Sequence, residues 1–263
     1  MTDAAVTPAY TRARLRWEVV LVLSATFGAS AVYSLLRLVR RRLSETPLSQ
    51  QSTQLNPTLD TVPGWDIVYN CLDVFFDLML VGLVVYLLWE PGRNALRAMG
   101  MDFTRIGQDL ARGALFVVVI GVPGIGLYLL GRLIGVTVAV QASESTLAWW
   151  SIGTLVLSAL RSGVMEEVIM IGWLFDRFRR LGVGPVATIV TSALIRGAYH
   201  SYQGEGPMIG NILMGLVFGW LYLRWKRVMP LVIAHTLIDV IAFIGYPLAL
   251  ASPFLAPLFA PAS

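Results

Sequence analysis

Apolar runs about as long as a bilayer's hydrocarbon core is thick recur along this chain, and arginines cluster at the ends of several of them. The runs cover 17–38, 65–89, 113–134, 146–178, 186–200, 208–223 and 229–250. Hydrocarbon offers no partner to an open backbone N–H or C=O, so a run of about twenty apolar residues crosses it as a helix. A β-barrel, which needs alternating strands, is excluded. With 56% hydrophobic and 14% charged residues in 263, a soluble domain is excluded as well. The expected fold class is all-α: a polytopic integral membrane bundle of about seven transmembrane helices, within a range of six to eight.

The charge pattern agrees with a membrane. The net charge is +4, but the arginines cluster at the ends of spans, which is how topology is written and not how nucleic acid is bound. Four Arg lie in 90–112, three in 176–184, and three Lys or Arg in 224–228, whereas 135–145 and 201–207 have none. The positive-inside rule therefore puts the three basic loops in the cytoplasm. The expected location is a cell membrane of bacterial type, with the lipid bilayer as the first partner. The first span does not fit: an inside N-terminus leaves Arg37, Arg40, Arg41 and Arg42 outside. Arg12, Arg14 and Arg16 ahead of an apolar stretch imitate a signal peptide, but the stretch is too long and too basic at its far end, so a retained helix is expected.

The chain divides into a cytoplasmic segment 1–16, helices and loops 17–144, a core 145–250 and a tail 251–263. The Ser-, Thr-, Gln- and Pro-rich stretch 44–64 reads as a loop. Cys71, the one cysteine, forms no internal disulfide and is expected as a buried apolar side chain. Asp73 and Asp77 share a helical face, where facing water or a buried partner is the expected role and a cation path the rarer one. Gly121, Pro123, Gly124 and Gly126 predict a kink or a close helix neighbour in the third span. Gly215 and Gly219, four apart, predict a close approach in the sixth.

The span 146–178 differs from the others because it carries Glu166 and Glu167 at its middle. A carboxylate at membrane depth is expensive and marks a functional site by default. Adjacent helical residues point about 100° apart, so one can do chemistry while the other holds structure. The only two histidines, His200 and His235, lie in later spans; Asp239 is one turn beyond His235. Each residue alone is as consistent with a buried hydrogen bond as with a site. Together, a carboxylate and two imidazoles are suited to activating water: the carboxylate takes a proton, and the imidazoles position the water, bind a metal or donate to an oxyanion.

Glu-Glu in a long helix, a helix ending in His200 followed by Tyr-Gln-Gly, a Gly-rich span and then His235-x-x-x-Asp239 resemble the CPBP family, the CAAX prenyl endopeptidases and bacteriocin-processing intramembrane proteases that include the Ras-converting enzyme. The resemblance covers 145–244. It implies an intramembrane endopeptidase acting on a peptide or membrane-protein substrate, near a prenylated or membrane-associated C-terminus in some relatives. By it, Glu166 is the water-activating base, His200 its partner, and His235 with Asp239 the oxyanion support. A metal is an open alternative: Glu166, His200 and His235 are acceptable zinc ligands, and a metal-free mechanism driven by glutamate is equally open.

Two positions depart from the family's motifs E-E-x-x-x-R and F-x-x-x-H. Ile171 stands where the arginine belongs, and Arg196 where the phenylalanine belongs. Arg196 is one turn before His200, so it is expected to supply from another helix the cation that Glu167 lacks; Arg161 is a second candidate. The same guanidinium near Glu166 would oppose a metal and weaken a base. A non-catalytic family member that binds or regulates within the membrane is therefore the alternative reading.

Overall fold

A computed structural model describes residues 11–141 and 148–256. It is an all-α membrane bundle. The helices are α1 (Arg12–Arg42), α2 (Pro63–Leu87), the single turn α3 (Ala95–Ala98), α4 (Ile106–Leu133), α5 (149–181), α6 (Pro185–His200), α7 (Glu205–Trp225) and α8 (Met229–Ala251). Among the described residues five helices, α1, α2, α4, α7 and α8, are long and apolar enough to cross a membrane. The other two expected spans are present as helices too. α5 carries Arg161, Glu166 and Glu167 in its middle, and α6 has 16 residues. The expected start of the fourth span, 146 and 147, lies outside the described residues, as does 142–145 of the loop before it.

Several expectations need correction. The stretch 44–64 is not only loop: β1 (Ser52–Gln54) pairs in parallel with β2 (Ala139–Gln141), and Leu48 is buried against Val138. Short strands at a span's end escape a hydropathy reading because they bury little apolar surface. Cys71 is exposed, since α2 sits at the rim of the bundle with one face outward. α4 begins seven residues earlier than expected, at Ile106. It has a π-helical turn at Val117–Gly121, ahead of Pro123. Gly124 and Gly126 have open space around them and bring no neighbour close; Gly113, against Ile233 of α8, does that instead.

α6 and α7 pack along each other, α8 lies between α5 and α4, and α2 leans on α5. Small residues set these distances. A Cβ on Gly163 would meet Thr236 and the Val232 carbonyl, one on Gly197 would meet Ile212, and one on Gly215 would meet Ala193. Gly219, against Ile189 and Phe175, completes the predicted pair. The core they enclose centres on 168–175, every residue of which is buried, with Phe218, Leu221, Val228 and Leu231 around it.

The helices alternate, so their ends form two opposite layers. In one, the basic loops are tied down by acids. Glu18 of α1 takes the Trp173 indole at 3.2 Å and the Arg177 guanidinium, whose Nη2 donates to Leu87 O at 2.6 Å. Arg180 bridges Asp176 and Glu90. Arg227 pairs with Asp109 at 2.7 Å and Asp102 at 3.1 Å. At the opposite end, residues 131–138 lie against 203–206: Val138 N–H donates to Gln203 O, and Gly206 N–H to Val136 O. Gly204 makes this turn at φ +103, in the left-handed region and within contact of Val136 O. Arg42 pairs here with Glu205 at 2.6 Å, and Arg132 donates to Ser49 O and Thr137 O.

Candidate functional site

The carboxylates sit where α5 changes its winding. Trp149–Glu166 is α-helical, Glu167–Trp173 is a π-helical turn, and Leu174–Leu181 is α-helical again. π-turns of this kind recur at functional sites because they re-aim side chains and release carbonyls. Here Ser192 of α6 donates its hydroxyl to Met170 O at 3.0 Å, inside that turn.

Glu167 is fully buried, and its Oε2 has no hydrogen-bond partner among the described residues. Its Oε1 accepts Arg196 Nη2 at 2.6 Å and meets His235 Nδ1 at 2.7 Å. Arg196, also fully buried, lies over the Phe218 ring at 5.7 Å, and Gly215 leaves room for its Cδ at 3.5 Å from where a Cβ would stand. The cation that position 171 lacks thus comes from α6. Ile171 is buried in the apolar core. Arg161, the other candidate, pairs instead with Asp77 of α2 at 3.3 Å, both side chains being partly exposed.

Glu166 faces a different set. The Tyr199 hydroxyl donates to its Oε2 at 2.5 Å, and His200 Nε2 stands 3.8 Å from the same oxygen. Tyr199 is held in turn by stacking on Phe27, ring centroids 4.8 Å apart, and by Ser34 Oγ donating to its carbonyl at 3.1 Å. His200 Nδ1 lies 3.4 Å from the Gln203 amide, while its Nε2 is buried with no hydrogen-bond partner among the described residues. His235 directs its Nε2 to Asp239 Oδ2, 3.6 Å away. Glu166, His200, His235, Asp239, Glu167 and Arg196 therefore come together from α5, α6 and α8. Tyr199 was not expected, because a tyrosine in an apolar helix carries no pattern that separates it from packing.

The residues do not present one face to a zinc ion. His235 spends Nδ1 on Glu167 and turns Nε2 to Asp239, and the Arg196 guanidinium stands 3.7 Å from Glu166 Oε2. Among the described residues no three His, Cys, Asp or Glu side chains gather as a metal site requires.

Comparison with known families meets this geometry in the same part of the chain. Residues 148–241, which hold every residue of the site, match the family model for type II CAAX prenyl endopeptidase Rce1-like proteins. This segment is similar to the Rce1-like family. No curated protein and no solved structure matches the chain. The Rce1-like segment takes in α5, α6, α7 and most of α8, and α1 closes it from outside through Phe27 and Ser34.

Proposed function

We propose that this protein is an intramembrane endopeptidase that hydrolyses a peptide bond of a membrane-associated substrate with a water activated by Glu166, without a metal. One observation carries the reading: of two adjacent carboxylates, Glu167 is fully buried with its Oε1 held by Arg196 and His235, whereas Glu166, its side chain 10% exposed, stands 3.8 Å from His200 Nε2, which has no hydrogen-bond partner among the described residues. Glu166 takes a proton from a water that His200 orients. The water oxygen attacks the substrate carbonyl carbon, and the resulting oxyanion is met by His235, with Asp239 behind it. Collapse breaks the C–N bond as Glu166 returns its proton to the departing amine. The Rce1-like match supports the reaction class.

The proximity of Arg196 to Glu166, 3.7 Å, favours a second reading. In it, the guanidinium holds Glu166 as a counter-ion and the protein binds a membrane peptide without cutting it. The Glu166→Gln variant, assayed on peptides in detergent or proteoliposomes beside a folding control, separates the two. The hydrolase loses about 10²–10⁴-fold in turnover, the usual contribution of a positioned acid or base, and keeps its fold. Unchanged cleavage would remove Glu166 from the reaction. A wild-type protein that holds peptide and never cleaves it would establish the second reading.

A further inference from the structure

The end of the bundle that carries β1 and β2 also carries five arginines: Arg37, Arg40, Arg41 and Arg42 close α1, and Arg132 closes α4. The four on α1 are those that the positive-inside rule leaves unexplained. Two of the five are satisfied by the protein. Arg42 pairs with Glu205 at 2.6 Å, and Arg132 donates to Ser49 O and Thr137 O. Arg37 and Arg40 are exposed and make no hydrogen bond or ion pair among the described residues. Arg41 is half-buried and held beside β1: its Nη2 donates to Ser52 O at 3.2 Å, and its carbonyl accepts from Ser44 Oγ and Gln51 Nε2, each at 3.0 Å. Its Nη1 is shut away from solvent and has no hydrogen-bond partner among the described residues.

Cations at a helix C-terminus complement the helix dipole and mark the end of a span. Neither role accounts for a guanidinium that is fixed by one nitrogen and left unsatisfied at another. Arg37 precedes Arg41 by one turn on the same face, and the two lie within electrostatic reach of each other and of Tyr202, just past the end of α6. Like charges at that spacing repel, and a buried donor without an acceptor has lost its hydration with nothing in return. One anion shared by Arg37 and Arg41 relieves both costs.

The surroundings select the anion. Tyr33, Leu36, Arg37 and Arg40 follow at i, i+3, i+4 and i+7 and form one stripe of α1. Tyr33 and Leu36 are 63% and 60% exposed on a helix long and apolar enough to cross the membrane, so hydrocarbon covers them. A free anion uses only the basic end of that stripe. A phospholipid uses all of it: its phosphate oxygens accept from the guanidinium fork through two parallel hydrogen bonds, and its acyl chains lie along Tyr33 and Leu36. Clusters of arginine at the end of a membrane helix recruit anionic headgroups in this way. We propose that Arg37, Arg40 and Arg41 bind the headgroup phosphate of an anionic phospholipid. The lipid then ties α1 to the β1 segment, because the Arg41 that takes the phosphate on Nη1 holds Ser52 with Nη2. Nothing in this site depends on whether Glu166 activates water.

Full-length protein in a nonionic detergent is titrated with phosphatidylglycerol, and binding is read by native mass spectrometry and by the rise in melting temperature. Phosphatidylglycerol is expected to bind saturably and about tenfold or more tighter than phosphatidylcholine. Arg37→Gln combined with Arg41→Gln is expected to weaken it about tenfold or more and to abolish the rise in melting temperature. Arg97→Gln combined with Arg105→Gln removes two exposed cations from the opposite end and is expected to change neither. If the first pair fails to fold, Arg37→Gln alone, which breaks no bond to a described residue, is expected to weaken binding about fivefold. Equal affinity for phosphatidylcholine overturns the proposal, as does an equal loss in the Arg97 and Arg105 pair. Inorganic phosphate that binds as tightly as the lipid overturns it in favour of a free-anion site. A peptide acid that displaces the lipid where its C-terminal amide does not overturns it in favour of a peptide carboxylate.

Discussion

Arg196 on α6 donates from Nη2 to Glu167 on α5 at 2.6 Å, and neither side chain has any exposed surface. The pair binds α5 to α6 through the middle of the bundle and, through His235 on the same carboxylate oxygen, to α8. Burying two charges gains little over an apolar pair, but removing one partner leaves the other charge stranded in a low-dielectric interior.

Arg196→Phe alone is therefore expected to destabilise by about 3–5 kcal/mol. Ile171→Arg alone places a second cation in the apolar core and is expected to destabilise as well. Together they return both positions to the family's motif, and the double variant is expected to be more stable than the sum of the single effects predicts, by at least about 1 kcal/mol. Thermal or denaturant unfolding in detergent reads the cycle. Strict additivity would show that a cation at position 171 cannot reach Glu167.

Tyr199 donates to Glu166 Oε2, and no other described residue bonds that carboxylate so closely. A hydrogen bond to a charged group contributes about 1.5–3 kcal/mol. Tyr199→Phe keeps the stacking on Phe27 and loses only this bond. The expected outcome is a fall in kcat of about tenfold or more with KM little changed, because the base loses its fixed rotamer while the peptide contacts remain. A change confined to KM would place Tyr199 in substrate binding instead.

Gly163 sets how closely α5 approaches α8, since a Cβ there would fall on Thr236 Oγ1 and within 3.1 Å of the Val232 carbonyl. Gly163→Ala is expected to push the helices apart at about 1–3 kcal/mol of stability. Because Glu166 and Glu167 lie one turn away, it should also lower turnover. Full activity with unchanged stability would mean that the two helices slide past the added methyl without disturbing the site.

Outside the membrane, Asp102 accepts from the Thr104 hydroxyl and backbone N–H and from Arg227. The Thr104 bonds foremost, then Arg227, hold its carboxyl well below the usual carboxylate range. A depressed folded-state pKa contributes stability above the unfolded value, near 3.9, and loses it as pH falls toward the folded value. Part of the acid destabilisation of the 99–109 segment is therefore expected below about pH 4. Asp102→Asn should flatten that part of a melting-temperature profile and leave the neutral-pH site alone. An unaltered profile would assign the acid transition elsewhere.

The bundle and most of the site were legible in the sequence for one physical reason: hydrocarbon makes every polar residue inside an apolar run conspicuous. Glu166, Glu167, His200, His235 and Asp239 stand out in that way, and against the motif of the family the chain resembles, Ile171 beside Arg196 pointed to the Arg196–Glu167 pair. Cues of that kind are local in sequence. Tyr199 and the Glu18–Arg177 pair gave none, because their partners lie 33 and 159 residues away. The short parallel strands and the exposure of Cys71 were hidden for a similar reason. Which face of an apolar helix meets protein and which meets lipid is set by its neighbours, not by its own hydropathy.

The sequence by itself determined that this chain lies in a membrane as helices, which spans hold the polar residues of the candidate site, and which end of them is basic. Only the tertiary structure decided that Arg196 and His235 hold Glu167 while Glu166 faces His200, that a tyrosine donates to Glu166, and that the apolar core lies on the side of the basic loops. Those outcomes depend on distances between helices, and Gly163, Gly197 and Gly215 set such distances by the side chains they lack.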